Sequence, residues 1–227
     1  MNSTELRNRI IALTEEQPTE VNNVYKESLR ALLHLMGDIH YIDGNGNGVK
    51  CKCIHGNPER IASRVYSDNT LILPLLSVSE ISTENDDARR RYSRTVINEK
   101  YWDPKKKRAT RLLSVAPRPV TLTYELNIWS KYRADLDMIR SSIYSLFSPD
   151  VNVRTKFSDY NKAFVVSESD IGTNTASDAE DRMLRKSITI SLQTYIPFPK
   201  FMVTNTGEIV SDKFKAEVTI QEDNSRK

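Results

Sequence analysis

The sequence predicts an α+β fold, with a largely antiparallel, mixed sheet that is flanked by helices on one side and preceded by an N-terminal helical extension. The order of segments supports this class, because helices come first, strands fill the middle of the chain, and one helix separates them from further strands. Within residues 119–149 the spacing of apolar residues changes from two to about 3.6, as it does where a strand runs into a helix. A doubly wound parallel sheet would need more helices between its strands.

Residues 119–149 carry the clearest pattern in the chain. Apolar side chains alternate along residues 122–128, and along residues 132–147 they recur at the spacing of one helical face. The segment contains no nucleophile beside a base and no glycine-rich loop that would cradle a phosphate. This unit therefore indicates packing and assembly rather than catalysis.

Two helices are predicted before the first strand. Residues 5–16 form a short candidate helix that ends before Pro18. Residues 19–36 form a stronger one, followed by Gly37, where a left-handed residue commonly ends a helix. The first helix is predicted as an extension, and the second is predicted to pack on the sheet.

The segment that follows is less regular. A glycine-rich turn at residues 43–48 leads into a predicted strand with alternating residues at 49–53. Residues 70–78 are apolar, but Pro74 lacks an amide hydrogen, so an edge strand or an irregular crossing segment is predicted there. Residues 79–91 are polar and charged and are predicted as a surface loop.

The later part of the chain is predicted to be rich in strands. Strands at residues 95–101 and 110–115 form a predicted hairpin, with a strongly basic tip at residues 103–108. Residues 171–182 are polar and are predicted as a loop. Further strands are predicted at residues 152–157, 163–168, 188–196 and 215–220.

Composition sets the size of the core and the domain organisation. The chain has 227 residues, of which 38% are apolar, a lean core for a monomer of this size that favours subunits burying more surface on assembly. A net charge of +3, from 33 basic and 30 acidic side chains, selects no partner. We expect one α+β domain at residues 19–220, with the helical extension at residues 1–18 and a polar tail at residues 221–227. No segment has the apolar length of a signal peptide or a membrane span, so secretion by the general route and a membrane partner are not expected.

Two groups of residues invite a metal-binding interpretation. Cys51, Cys53 and His55 alternate and could offer two thiolates and an imidazole to zinc, but no fourth ligand is evident and structural zinc sites use longer gaps within a ligand pair. Small apolar cysteines in a half-buried strand, in a protein from a reducing compartment, explain the pattern better. Cysteines two residues apart on a strand do not readily form a disulfide with each other, and residues at this spacing do not readily bring a nucleophilic thiol within hydrogen-bond reach of a base. No cofactor is expected.

The second group resembles the opening of a calcium-binding loop. Asp43, Asn45 and Asn47 have the right spacing, but the twelfth position falls on Ile54, where a carboxylate is needed. A tight turn explains the same residues.

The candidate contact residues are basic and lie near an aromatic side chain. Charge and stacking are the usual means of binding a single-stranded nucleic acid, and a solvated hairpin tip explains the same residues without a ligand. A nucleic-acid-binding module is therefore an alternative function, and an enzyme is disfavoured because no catalytic constellation is found. These candidates for partner contacts or channel lining are Arg89, Arg90, Arg91, Trp102, Lys105, Lys106, Lys107 and Arg108.

Four segments resemble a known family. They are LLHLMGDIH at residues 32–40, ILP at residues 72–74, the block at residues 119–132, and SLQTYIPFP at residues 191–199. The sequence resembles the proximal tail-sheath stabilisers, or tail terminators, of contractile-tailed, T4-like bacteriophages. Its longer helical front departs from that pattern.

The resemblance implies a non-enzymatic virion protein, made in the cytoplasm of the bacterial host. Its copies would form a hexameric ring at the head-proximal end of the tail, where loops or sheet edges contact neighbouring subunits. The ring would end the tail tube, stabilise the last ring of sheath and join the tail to the neck. The implied partners are the chain itself, the tail tube protein, the tail sheath protein and the neck or connector protein, with passive contact to DNA in the channel.

Overall fold

The computed structural model describes residues 3–16, 21–44, 46–67, 72–90, 96–103, 107–159, 161–171, 183–204 and 209–211. The helices in these ranges are α1 (Ser3–Glu15), α2 (Val21–Met36), α3 (Pro58–Ser67) and α4 (Arg133–Leu146). The strands are β1 (His40–Ile42), β2 (Gly48–Lys50), β3 (Lys52–His55), β4 (Leu75–Asn85), β5 (Val96–Asp103), β6 (Arg108–Val115), β7 (Arg118–Ser130), β8 (Val151–Val153), β9 (Asn161–Ile171), β10 (Leu184–Ile196), β11 (Lys200–Val203) and β12 (Ile209–Ser211). The predicted α+β class is confirmed.

The described residues fall into two compact units. One is drawn from residues 1–21, 87–118 and 196–227, and the other from residues 22–86 and 119–195. We call them the hairpin unit and the central unit. The prediction of one domain at residues 19–220, with appendages at residues 1–18 and 221–227, stays a prediction.

The central unit contains a six-stranded sheet in the order β3-β4-β7-β10-β9-β8 and a separate pair, β1 and β2. β3 and β4 are parallel, whereas β4–β7, β10–β9 and β9–β8 are antiparallel. β7 and β10 also run in opposite directions, because Asn127 contacts Arg185 while the earlier Glu125 contacts the later Ser187. The sheet is therefore mixed and mostly antiparallel, as predicted.

The predicted strand and helix of residues 119–149 are β7 and α4. Every second side chain of β7 is fully buried along residues 122–128, and α4 buries Leu136, Ile139 and Ile143. Tyr132 precedes the helix in an extended conformation, and its amide donates to the hydroxyl of Ser130 at 3.1 Å. The change of period in the sequence therefore marks the end of the strand and the start of the helix.

α3 is a helix that the sequence analysis did not predict. It buries Ile61 in a cluster with Leu75, Trp129 and Met183. Trp129 and Arg185 lie on the face of the sheet that α3 contacts. Lys186 is the next residue after Arg185, so its side chain points to the opposite face, where it bonds to Glu168. α4 contacts Glu168 and therefore lies on that opposite face. Helices therefore contact both faces of the six-stranded sheet.

β4 corrects two predictions about residues 70–91. From residue 75 onward, the expected edge strand or irregular segment is an internal strand, since β4 pairs with β3 along residues 75–78 and with β7 along its length. Pro74 is buried directly before β4, after a cis Leu73–Pro74 bond, so its missing amide hydrogen removes no ladder bond. The predicted surface loop at residues 79–91 is wrong as far as residue 85, because β4 continues through it.

The hairpin unit contains a four-stranded sheet in the order β12-β11-β6-β5. α1 packs on it through Ile10, which is fully buried against Leu113, Phe201 and Val203. The predicted hairpin is confirmed as β5 and β6. The predicted last strand at residues 215–220 lies outside the described residues, and so does the loop predicted at residues 171–182 after its first residue. In the part of the chain that the structure covers, no helix is both long and apolar enough to cross a membrane.

Candidate assembly surfaces

The hairpin of β5 and β6 ends in an exposed tip. Its strands pair as far as Asp103 and Arg108, and Trp102 lies opposite Ala109 with 61% of its surface exposed. Lys107 is exposed and has a φ of 48°, in the left-handed region that tight hairpin turns commonly require. The tip therefore presents an aromatic ring and a cation to solvent.

The other basic candidates occupy a different turn. Arg89 is half-buried and Arg90 is exposed in the turn after β4, where the amide of Arg90 donates to the carbonyl of Asp87 at 3.2 Å. The candidates outside the described residues are Arg91, Lys105 and Lys106. Arg89 and Arg90 thus belong to a turn, and Lys107 and Arg108 belong to the hairpin. The role of the basic residues in partner contacts stays a prediction.

A half-buried acid on β9 connects α4 to β10. Glu168, with 15% of its side chain exposed, accepts hydrogen bonds from Lys186, from Arg140 at 3.0 Å and from the Tyr144 hydroxyl at 2.7 Å. Lys186 is only 7% exposed and also lies 3.2 Å from Asp170. We call these five side chains the Glu168 cluster. No sequence pattern reveals this cluster, because Arg140, Glu168 and Lys186 are far apart along the chain.

Electrostatics inside the Glu168 cluster favour the ion pair. Burial raises the pKa of Glu168, but hydrogen bonds from Lys186, Tyr144 and Arg140 outweigh burial and hold this pKa below its ordinary value. Lys186 donates a hydrogen bond to Glu168, and this bond raises the pKa of Lys186 despite burial. Tyr144 donates its own hydrogen bond to Glu168, which raises the pKa of Tyr144. Glu168 and Lys186 are therefore both charged at neutral pH.

A second polar network lies on the opposite face of the sheet. Glu125 accepts hydrogen bonds from Ser187 at 2.8 Å and from Arg185 at 3.3 Å, and Arg185 also donates to the side-chain oxygen Oδ1 of Asn127 at 2.8 Å. The Arg185 guanidinium lies 5.0 Å from the centre of the Trp129 ring. This network holds β7 and β10 in register from the face that α3 covers in part.

Within the described residues, the short outer strands β3 and β8 cover their neighbours β4 and β9 only in part, so part of each of these two longer strands has an open edge. β3 pairs with β4 only along residues 75–78, so residues 79–85 pair with β7 alone. β8 pairs with β9 only along residues 161–163, so residues 164–171 pair with β10 alone. We call residues 79–85 the β4 edge and residues 164–171 the β9 edge.

Each open edge contains one irregularity and one exposed apolar side chain. The register of β4 against β7 shifts between Glu80 and Ser82, which leaves Ile81 without a partner. The register of β9 against β10 shifts at Val166 in the same way. Ile81 and Val166 are each 56% exposed. A β-bulge re-aims a side chain, and here it leaves a branched apolar side chain in solvent at each edge.

The two cysteines and the glycine-rich turn have structural roles in the fold. Cys51 is buried, with its thiol 3.7 Å from the Pro74 carbonyl, and Cys53 is half-buried. Burial raises the pKa of each thiol to about 12. Asp43 accepts a hydrogen bond from the amide of Asn47 at 2.8 Å, which closes the turn between β1 and β2. The carboxylate of Asp43 thus serves the turn.

The raised thiol pKa values lead to a labelling prediction. At pH 8 we expect Cys51 and Cys53 to react with an aromatic disulfide reagent at least about a hundredfold more slowly in the folded protein than in the denatured chain, where the thiol pKa is about 8.5. The measurement is the absorbance of the released thiol with and without guanidinium. Cys53→Ser isolates Cys51 as a control, and rapid reaction of either folded thiol would contradict the expectation.

The geometry above consists of packed helices, ion pairs and strand edges, and within the described ranges no group of His, Cys, Asp and Glu side chains is placed to hold a metal ion. A family model described as T4-like virus Myoviridae tail sheath stabiliser matches residues 58–226, which is 169 of the 227 residues. No curated protein sequence matches the chain.

The chain is a structural protein of the phage virion tail and not an enzyme. It belongs to the tail sheath stabiliser family of T4-like Myoviridae. The resemblance found in the sequence is therefore confirmed, and the matched range contains α3, the hairpin, β7 with α4, and both open edges.

Proposed function

We propose that six copies of this chain form a closed ring at the head-proximal end of the tail. The ring contacts the last ring of tail sheath, ends the tail tube and joins the tail to the neck or connector. The observation that carries this proposal is the family match over residues 58–226. It spans the surfaces that a ring subunit offers to neighbours, namely strand edges and an exposed hairpin.

Ring closure suits the architecture of the central unit. A strand edge presents unpaired amide and carbonyl groups that invite pairing with another chain. When a contact between two different surfaces of a subunit is repeated around a rotation axis, a closed ring satisfies both surfaces on every copy. The lean apolar composition of the chain is consistent with burial of further surface in such a ring.

The basic hairpin is proposed as a contact with a tail partner or with DNA in the channel. Trp102 and Lys107 are both exposed near the end of this hairpin, and Lys105, Lys106 and Arg108 are neighbours of Lys107 in the sequence. Tryptophan and arginine are enriched among residues that dominate protein interfaces. We expect this contact to involve the exposed ring of Trp102 more than the surrounding charges, which solvent screens.

Electron microscopy tests the proposed function. The purified protein, alone and mixed with tail tubes, is imaged in negative stain, and the expected result is rings or collars at one end of each tube. Tubes assembled without the protein should lack the collar and vary in length. Molecules that remain monomeric and ignore tube ends, or virions that lack the protein yet keep tails of normal length joined to heads, would contradict the proposal.

Nucleic-acid binding is the second candidate, favoured by the exposure of Trp102 in a hairpin that also exposes Lys107. It requires affinity for free single-stranded DNA that falls steeply with salt and is lost in Trp102→Ala. Tyr132→Ala, at an aromatic side chain that is 69% exposed elsewhere, is the matched control. Fluorescence anisotropy with a labelled oligonucleotide distinguishes this function from ring formation.

A further inference from the structure

We propose that the β4 edge of one copy pairs with the β9 edge of the next copy, so that the six-stranded sheets of neighbouring subunits join through antiparallel backbone hydrogen bonds. This inference rests on the proposed ring and names the surfaces that close it. The partner is a second copy of this chain, and the contact is between two different edges.

The two edges lie at the same height in the sheet. Ser79 at the start of the β4 edge pairs with Glu125 on β7, Glu125 accepts a hydrogen bond from Ser187 on β10, and Ser187 pairs with Ser169 on the β9 edge. From this level, residues 79–85 and the preceding residues of β9 extend toward the same end of the sheet. The two edges therefore overlap over most of their length.

The strand directions also match. Three successive antiparallel steps lead from β4 through β7 and β10 to β9, so β4 and β9 run in opposite directions. When a second copy is placed beside the first with its sheet in the same orientation, its β9 lies antiparallel to β4. Antiparallel pairing at equal height satisfies amide and carbonyl groups along both edges.

The side chains at the edges suit a contact. Strands that must stay unpaired commonly carry lysine or proline, and neither residue occurs in residues 79–85 or 164–171. Instead, Ile81 and Val166 are each 56% exposed at the bulges. Both lie near the middle of their edges, where pairing removes apolar surface from water.

The charges at the edges permit this pairing. The β4 edge carries Glu80 and Glu84, which like charges on the β9 edge would repel. On the β9 edge, however, the two carboxylates of the Glu168 cluster are matched by the two cations of that cluster, Lys186 and Arg140. The acidic β4 edge thus meets a neutralised surface.

Two lysine substitutions test the pairing. Ile81→Lys blocks the β4 edge and Val166→Lys blocks the β9 edge, because pairing would bury the introduced charge. Each variant alone is expected to form no rings at the concentration where the wild-type chain is half-assembled, and to need at least about a tenfold higher concentration to reach half-assembly. Mass photometry and the count of collars on tail tubes measure this. Ile42→Lys is the matched control, because Ile42 is 55% exposed in the separate β1–β2 pair. Circular dichroism and thermal unfolding establish that all three variants are folded.

Mixing the two variants gives the sharper result. The Ile81→Lys copy keeps its β9 edge and the Val166→Lys copy keeps its β4 edge, so an equal mixture is expected to form a heterodimer and stop there. Rings that persist in both folded variants would overturn the edge pairing and leave the proposed ring intact. A dimer formed by one variant alone would also overturn it, because the contact would then join identical edges. A wild-type chain that forms no ring, in solution or on tubes, would overturn both proposals.

Discussion

Replacement of Trp129 with alanine is expected to lower the free energy of unfolding of the central unit by about 3–5 kcal/mol. Trp129 is only 1% exposed and packs against Ile61, Leu75 and Met183, so truncation removes apolar burial and leaves a cavity. It also removes the indole donor to the Ser77 hydroxyl at 2.9 Å, which lies in the core. Urea unfolding followed by far-ultraviolet circular dichroism measures the change.

Two variants separate the contributions at this position. Trp129→Phe keeps an aromatic ring and removes the indole N–H, so we expect a smaller loss of about 1–3 kcal/mol. Trp102→Ala makes the same truncation at the other tryptophan, which is 61% exposed, and is expected to change stability by less than about 0.5 kcal/mol. Equal losses in Trp129→Ala and Trp102→Ala would contradict the assignment of Trp129 to the core.

Replacement of Glu168 with glutamine is expected to cost about 2–3 kcal/mol at neutral pH, less than the 3–5 kcal/mol for a fully buried pair because Asp170 still lies 3.2 Å from Lys186. Glutamine preserves the shape and acceptor oxygen but leaves Lys186, which is only 7% exposed, without its closest counter-charge. Chemical denaturation at pH 7 measures the loss. Glu84→Gln, at an exposed carboxylate on the same sheet, is the control and should have almost no effect.

The loss in Glu168→Gln depends on pH in a defined direction. Because the folded protein holds the pKa of Glu168 below its ordinary value, the stabilisation is fully present above the pKa of the unfolded chain and is lost as pH falls through the folded pKa. Because the pKa of Lys186 is raised, its part is fully present below the unfolded lysine pKa and is lost as pH rises through the folded pKa. Wild type and variant should therefore converge in acid, and a difference that is constant from pH 2 to pH 7 would contradict the ion-pair explanation.

The spacing of apolar residues predicts much of the fold. β7 and α4 each bury one face, so apolar residues recur every two positions along β7 and about every 3.6 positions along α4. The hairpin was predicted because its basic tip interrupts two strand-like runs. Both elements are set mainly by local pattern, and the structure agrees with them.

The second half of β4 was missed for a physical reason. Its bulge at Ile81 breaks the period of two, and its open edge leaves polar side chains in solvent, so residues 79–85 have the composition of a loop. The strand forms there because β7 supplies a continuous antiparallel partner. That pairing is tertiary information, which composition alone does not contain.

The start of α3 has a recognisable sequence signal for a helix N-terminus. The side chain of Asn57 accepts a hydrogen bond from the amide of Glu59 at 3.0 Å, and Pro58 occupies the first helical position, which is a common way to begin a helix. The Glu168 cluster carried no such signal, because its ion pairs join residues from three separate elements. Charged side chains at these positions look like solvated ones until the sheet brings them together.

The hairpin unit is discontinuous along the chain, and this has a consequence for biosynthesis. Ile10 on α1 is buried against Phe201 on β11, so the first helix completes its core only after nearly two hundred later residues have been made. The last described strand of the central unit, β10, ends at Ile196, just before β11, so both units complete their sheets at nearly the same point of synthesis. During translation, the apolar face of α1 therefore stays exposed until β11 has been made. Exposed apolar surface of this kind is what chaperones bind on an incomplete chain.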